Sequence, residues 1–337
     1  MSKSKTVYVG SGTSFWERNR RSNGYLLRHT ISKYVVSIGR ALLMFGLCFM
    51  IIQPLLIRFS TGLMEEPDLY DSTIVLVPRH VTLDNYRIVG ELTDMPRSMV
   101  NTLWTSLLVS VLQVVSCTLV SYGFARFEFP LKKFWFACVV MLIIVPPQTI
   151  QTSLYMSFAN FDILGIFKAT TGKTVNLRTS ILPYALMSLT CMGLKNGLYI
   201  YILRQYFVGV PKSLEEAAYI DGCGTVHTFT KIMLPDAMPT IASCFLFGFV
   251  WQWTDLFYSR NFLQAKYSVY SIQLSSITSR MGRYFSADAS KAVVVPVGRQ
   301  QQLISIGVLI CCVPLIILYC FTQKTFVKSL VMTGSKE

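Results

Sequence analysis

The sequence predicts an all-α polytopic membrane protein of six transmembrane helices, with a helical hairpin between the fourth and fifth. Three observations carry this. Of 337 residues, 52% are hydrophobic and 14% charged, against about 25% charged in an average soluble domain. The charges cluster, leaving uncharged stretches of about 20 residues that can cross a bilayer. One polar segment, residues 210–236, combines helix-start and helix-stop signals. An ordinary water-soluble enzyme, a disordered chain and a nucleic-acid-binding module are excluded. The net charge of +14 reads as basic cytoplasmic edges of a membrane protein.

Residues 1–35 form a basic tail in which Lys3, Lys5, Arg18, Arg20, Arg21, Arg28 and Lys33 face a single acid, Glu17. The positive-inside rule places such a tail in the cytoplasm, and no cleavable signal pattern is expected in it. The first span, 36–58, carries Arg40 and Arg58, whose long stems can snorkel to the headgroups. Loop 59–100 has seven acids against three bases and is expected outside. Asn101–Tyr122 and Phe134–Ser157 are the second and third spans. The loop between them, Gly123–Lys133, has three bases and one acid and reads as inside. Ser180–Tyr206 is the fourth span, interrupted only by Lys195 and Arg204. Met238–Phe257 is the fifth, and Gln302–Phe321 the sixth. The core thus covers 101–322, and the tail 323–337 lies in the cytoplasm with the N-terminus. Loop 258–301 carries six bases and one acid yet falls outside, so it reads as a docking surface for an external partner. The nine cysteines form no Cys-x-x-Cys pair and no cluster with histidine, so no metal site or disulfide framework is expected.

The segment Val210-Pro-Lys-Ser-Leu-Glu-Glu-Ala-Ala-Tyr-Ile-Asp-Gly222 reads as a short helix and a stop. Ser213 and Glu216 fit a capping box. Ala217 and Ala218 give the helix a small-residue face, and Asp221-Gly222 ends it. Phe229, Ile232 and Met233 then form one apolar stripe at helical spacing, before Leu234-Pro235. Pro235 and Pro239 are expected to end this second helix and start the fifth span. Physically, the hairpin is either a connector that closes its own bundle or a docking element.

Glu216-Ala217-Ala218, Gly222, Ile232 and Leu234-Pro235 resemble, in letters and spacing, the EAA loop of binding-protein-dependent ABC importer permeases. The wording Leu214–Gly222 resembles the maltose-type sugar permeases (carbohydrate uptake class 1). So do Asp84-Asn85-Tyr86, Tyr122-Gly-Phe-Ala-Arg126, Pro146-Pro147 and Gln323–Leu330, and the resemblance covers about residues 80–337. It implies a type I ABC importer transmembrane domain in a bacterial cell membrane. The implied assembly is a heterodimer with a second permease subunit, two copies of a cytosolic ATPase that bind ATP-Mg, and an extracytoplasmic solute-binding protein that delivers a sugar. It also implies that Glu216 anchors the hairpin in the ATPase, with Ser213, Glu215, Ala217, Ala218, Asp221, Gly222, Phe229, Ile232, Leu234 and Pro235 completing the coupling element. Neither a catalytic residue nor a directly bound cofactor is implied.

Polar groups inside a span are costly and tend to face the bundle interior. Three clusters qualify as substrate-pathway candidates. Gln148 and Gln151 follow Pro146-Pro147, where the helix must kink. Lys195 and Asn196 sit between two glycines. Trp251, Gln252, Trp253 and Asp255 close the fifth span with chemistry suited to sugars. Each has a plainer reading: an interhelical hydrogen bond for the amides, an aromatic belt for the tryptophans. Rival classes fit less well. An intramembrane enzyme would want paired acids or His/Asp clusters, and a channel or scaffold gives no reason for a capped hairpin. A polyamine, phosphate or peptide permease is the nearer competitor.

Overall fold

The computed structural model describes residues 16, 19, 20, 24–74, 76–162, 166–178, 180–263, 267–286 and 293–334. Much of the basic tail (Lys3, Lys5, Arg18, Arg21) and Lys266 and Lys291 of the last large loop lie outside the described residues.

The first apolar run forms α1 (Tyr25–Leu63), 39 residues long and so about 58 Å at 1.5 Å per residue. It begins within the expected tail and runs past Arg58. Its apolar side chains point away from the body, with Phe45 71% and Ile51 72% exposed. Only its end packs, where Ser60 and Gly62 are buried. The chain then pairs Met64 with Val81 in an isolated antiparallel bridge and forms α2 (Asp84–Leu92).

At the centre of the bundle is α3 (Met95–Arg126). Its buried face repeats Ser98, Thr102, Ser106 and Ser110 at every fourth position. Thr102 and Ser110 donate to the carbonyls of Ser98 (2.7 Å) and Ser106 (2.5 Å), so these two hydroxyls are satisfied within the helix. Small side chains let neighbouring helices approach closely where lipid removes the hydrophobic drive for association.

The expected third span is bent by 99°. Helix α4 (Lys132–Ile144) ends before Pro146-Pro147, a turn covers Pro147–Ile150, and α5 (Gln151–Ala159) leaves in a new direction. Two adjacent residues without N–H donors cannot continue an α-helix. A short α6 (Ile166–Thr171) follows. The expected fourth span is also discontinuous. It comprises α7 (Leu182–Leu189) and α8 (Asn196–Gly209), separated by a segment in which Cys191 (φ 58°) and Lys195 (φ 64°) are left-handed.

Helix α9 (Ser213–Ile220) is the first arm of the hairpin. Helix α10 (Thr225–Thr228), a wide turn over Phe229–Met233 and α11 (Leu234–Trp253) form one continuous rod, contrary to the stop expected at Pro235 and Pro239. The Leu234 N–H bonds the Phe229 carbonyl five residues back. This widened π turn precedes Pro235 and absorbs it without breaking the helix. Helices α12 (Phe257–Phe262), α13 (Tyr270–Ser275) and α14 (Ile277–Tyr284) build the last large loop, and α15 (Val297–Gly334) closes the chain.

Among the described residues, four helices are therefore long and apolar enough to cross a membrane, and the bent pair makes a fifth. The remaining expected span is the broken α7–α8 pair. Helix α3 packs along α8 and α11, and α15 packs on α1 and α11. One core cluster fills the α3–α8–α11 interface, around Cys117, Tyr199, Leu203, Phe207 and Ala237. At the opposite end Val89, Leu92, Ile277, Met281, Leu303 and Ile306 join the two large loops to α15.

A polar knot ties that end together. Asn85 donates to the carbonyls of Gly62 and Met64 (3.1 and 2.9 Å), Gln302 to those of Thr61 and Met64 (2.8 and 2.7 Å), and buried Arg299 to Asn85 (2.7 Å). Arg280 donates to the Leu92 carbonyl at 3.0 Å. Two of the six bases of loop 258–301 thus hold the fold.

The break between α7 and α8 is satisfied from α3. Gln113 donates to the Leu194 carbonyl (2.9 Å) and to Asn196 Oδ1 (2.7 Å), and Ser116 donates to the Ser188 carbonyl (2.6 Å). A Cβ on Gly197 would lie 2.9 Å from the Val139 carbonyl oxygen of α4, which is backbone and cannot swing aside. Gln113→Leu should therefore strand two buried polar partners, at about 1–3 kcal/mol each. Thermal unfolding of the detergent-purified protein should show a lowered midpoint. Gly197→Val should lower it further by forcing α4 from α8, and an unchanged midpoint for both would contradict this packing.

Candidate coupling site

The hairpin helix α9 starts one residue earlier than the capping-box pattern requires. Lys212 occupies the cap position and no side chain caps the helix. The Glu215 and Glu216 N–H groups bond the Lys212 carbonyl (3.0 Å each). Ser213 is consequently the first helical residue, and its hydroxyl cannot reach back as a cap. Two acids in the first turn instead face the positive end of the helix dipole.

The stop is as the sequence indicates. Gly222 has φ 82°. Its N–H bonds the Tyr219 carbonyl at 3.0 Å, and the Cys223 N–H bonds that of Ala218 at 2.9 Å. Those two bonds are a complete Schellman motif. A left-handed residue there favours glycine.

The adjacent glutamates divide their directions. Glu215 points into the bundle. Its Oε1 accepts from the Tyr122 hydroxyl at 2.9 Å and lies 3.2 Å from Arg126 Nε. The Arg126 and Glu215 side chains are 5% and 10% exposed. Arg126 also donates to the Val210 carbonyl at 2.8 Å. The last turn of α3 therefore grips both the lead-in of the hairpin and its first helical turn. The Tyr122 ring also packs at a tilt against Phe229 of the second arm, 4.7 Å between centroids, and edge-on against Phe207 of α8. Glu216 and Ala217 face solvent, as do Ser213, Asp221 and Pro235, while Ala218 is buried. Ile232 and Leu234 are half-buried beside Met233, which is fully inside. Ile220 (86% exposed) and Val226 (77%) project from the tip. The result is a rigid base with an exposed acidic and apolar edge.

The pathway candidates separate into two groups. Asn196, Gln252, Trp253 and Asp255 are buried. Asn196 belongs to the Gln113 contact. Trp253 donates to the Cys311 carbonyl at 3.1 Å. Asp255 accepts from the Tyr184 hydroxyl (2.7 Å), from the Ser259 N–H (2.9 Å) and from the Phe257 N–H (3.2 Å), fixing the start of α12. Gln148 and Pro146 are exposed, Pro147 and Gln151 half-buried, and Gln151 donates to Asn261 at 3.0 Å. Lys195 is exposed, with its ammonium 5.0 Å from the ring centroid of Trp251. The break thus presents a cation resting on an aromatic face.

Three structural residues were outside the sequence candidates. Gln113 looks like a single amide in an apolar run, and its partners lie 81 and 83 residues onward. Tyr122 and Arg126 stand in a segment that carries the family likeness, but their contact with Glu215 spans 93 residues for Tyr122 and has no local signature.

A family model, the binding-protein-dependent transport system inner membrane component, matches residues 117–330. The osmoprotective compounds uptake permease protein GgtD of Synechocystis is 30% identical over 254 residues, covering 72% of this chain and 80% of that protein. The arabinooligosaccharides transport system permease protein AraQ of Halalkalibacterium halodurans is 24% identical over 309 residues, covering 91% and 97%. A chain in the crystal structure of a bacterial ABC transporter involved in the import of the acidic polysaccharide alginate superposes with a TM-score of 0.62 at 17% identity, covering 88% of this chain and 98% of that one. The broken fourth span, the hairpin with its glycine stop and the matched region thus coincide, and the chain belongs to the family of binding-protein-dependent transport system inner membrane components.

Proposed function

We propose that this chain is one of two membrane subunits of an ATP-driven importer that moves a sugar or oligosaccharide into the cytoplasm. Its partners in this reading are a second, related permease subunit, two copies of a cytosolic ATPase that bind ATP-Mg, and an extracytoplasmic solute-binding protein. The chain itself hydrolyses nothing. Both termini and the 210–236 hairpin face the cytoplasm, and loops 59–100 and 258–301 face outward. The basic balance of Gly123–Lys133, beside the hairpin, supports this orientation. The arabinooligosaccharide permease, aligned over nearly its whole length, supports the carbohydrate class, as does the Leu214–Gly222 wording.

The observation that carries the reading is the division of the two glutamates. Glu215 is locked to Arg126 and Tyr122, while Glu216 is presented to solvent. A helix held rigidly at its base and free at its edge passes a push from a docked ATPase to α3 without bending. Coupling of two distant sites needs such an element with discrete arrangements. Along the pathway, Gln148, Gln151, Lys195 and Trp251 contact solute. Asn196, Gln252, Trp253 and Asp255 hold the helices that line it.

Glu216→Ala should leave the assembled complex in the membrane but lower binding-protein-dependent uptake of labelled sugar by tenfold or more, with ATP hydrolysis no longer stimulated. Normal uptake with normal stimulation would refute the lever. Arg126→Leu should be costlier, because it leaves Glu215 buried and unpaired, at about 3–5 kcal/mol. The double variant Arg126→Leu/Glu215→Leu should regain thermal stability in the purified complex yet stay poorly coupled. A panel of saccharides in the same uptake assay tests the solute class, and transport of a polyamine or peptide alone would overturn it.

A further inference from the structure

The loop between α3 and α4 and the facing side of α8 enclose a cleft of about 680 Å³. Lys132, Lys133 and Arg204 supply its charge, and Phe124, Phe129 and Phe136 its floor. The rings form a connected cluster, with Phe124 5.5 Å from Phe129 and 5.8 Å from Phe136 between centroids. The Arg204 guanidinium lies over the ring of Phe136, 4.2 Å from its centroid. Its Nε is buried and bonds nothing. Glu128 is the one carboxylate in the cleft, and it is taken by Lys132 at 2.9 Å. No carboxylate among the described residues pairs with Arg204 or Lys133. Three cations against one acid leave a net positive cleft.

The surroundings decide the class of ligand. Leu131 (70% exposed), Phe134 (57%) and Trp135 (51%) present apolar surface at the rim. They stand where α4 begins, next to the paired lysines, so apolar and basic surface meet along one line. That is the profile of a membrane–water boundary, where tryptophan and basic side chains collect. An arginine held over a ring, with donors left over, matches a phosphodiester. A soluble phosphate would use the cations and leave the apolar rim uncovered. A lipid uses both.

We propose that this cleft binds the headgroup of an anionic phospholipid, its phosphate on Arg204 and Lys133 and its chains along Phe134 and Trp135. The site lies a few residues beyond Arg126, in the same corner that grips the hairpin. A bound lipid braces that corner whatever solute is carried.

The test uses the complete transporter complex in phosphatidylcholine nanodiscs doped with phosphatidylglycerol, with retained lipid counted by native mass spectrometry. The wild-type complex should keep phosphatidylglycerol. The Arg204→Gln/Lys133→Gln complex should keep at least about tenfold less, as expected when two surface cations are lost, with phosphatidylcholine retention unchanged. Lys133→Gln alone alters an exposed side chain, so it should assemble normally and lose part of the retention. Equal retention by wild type and variants would overturn the proposal. So would release of the lipid by glycerol phosphate alone, which would mark a soluble phosphate site. Failure of the wild type to retain phosphatidylglycerol, as when a partner subunit covers the cleft, would overturn it too.

Discussion

Backbone that unwinds at membrane depth has no water to bond, so protein must satisfy every group it frees. Gln113 meets this constraint for the break between α7 and α8, and the rest of the bundle is arranged around it. The amide reaches because Gly193 and Gly248 leave no side chain in its way, with built Cβ positions 2.9 and 3.3 Å from its terminal atoms. Ser116 takes the Ser188 carbonyl on the near side of the break. The small-residue face of α3 is therefore both a close-packing surface and a row of donors.

The resulting molecule has a rigid end and a tied end. At the hairpin, the buried Arg126–Glu215 pair and the Tyr122 ring contacts join four segments: α3, the end of α8, α9 and the turn after α10. At the other end, Asn85, Arg299 and Gln302 fasten the two large loops to the end of α1. Between them α1 stands clear of the body along most of its length.

Much of this was legible in the sequence. Uncharged runs located the apolar helices, and Gly222 located the end of the hairpin helix. The runs could not show continuity. A charge-free stretch reports composition alone, and both Phe134–Ser157 and Ser180–Tyr206 proved discontinuous, at a proline pair and at a glycine-containing break. The capping box failed for a related reason: Ser-x-x-Glu specifies two residue types, while the helix start was set one residue upstream by the Lys212 carbonyl. The charge of loop 258–301 was misleading as a sum, since Arg299 and Arg280 are spent inside the fold. Which of two neighbouring glutamates faces inward is decided by helical phase against α3, a tertiary fact.

Arg126 reaches the Val210 carbonyl and the Glu215 carboxylate at once, and those two contacts lie on opposite sides of Pro211. The hairpin is thus not a self-contained module that can be exchanged by its own residues. A graft of residues 210–236 onto another permease carries only half of its foundation. The recipient must supply an arginine and a tyrosine one helical turn apart at the end of its own central helix, or the transplanted arm will sit on the bundle without being fastened to it.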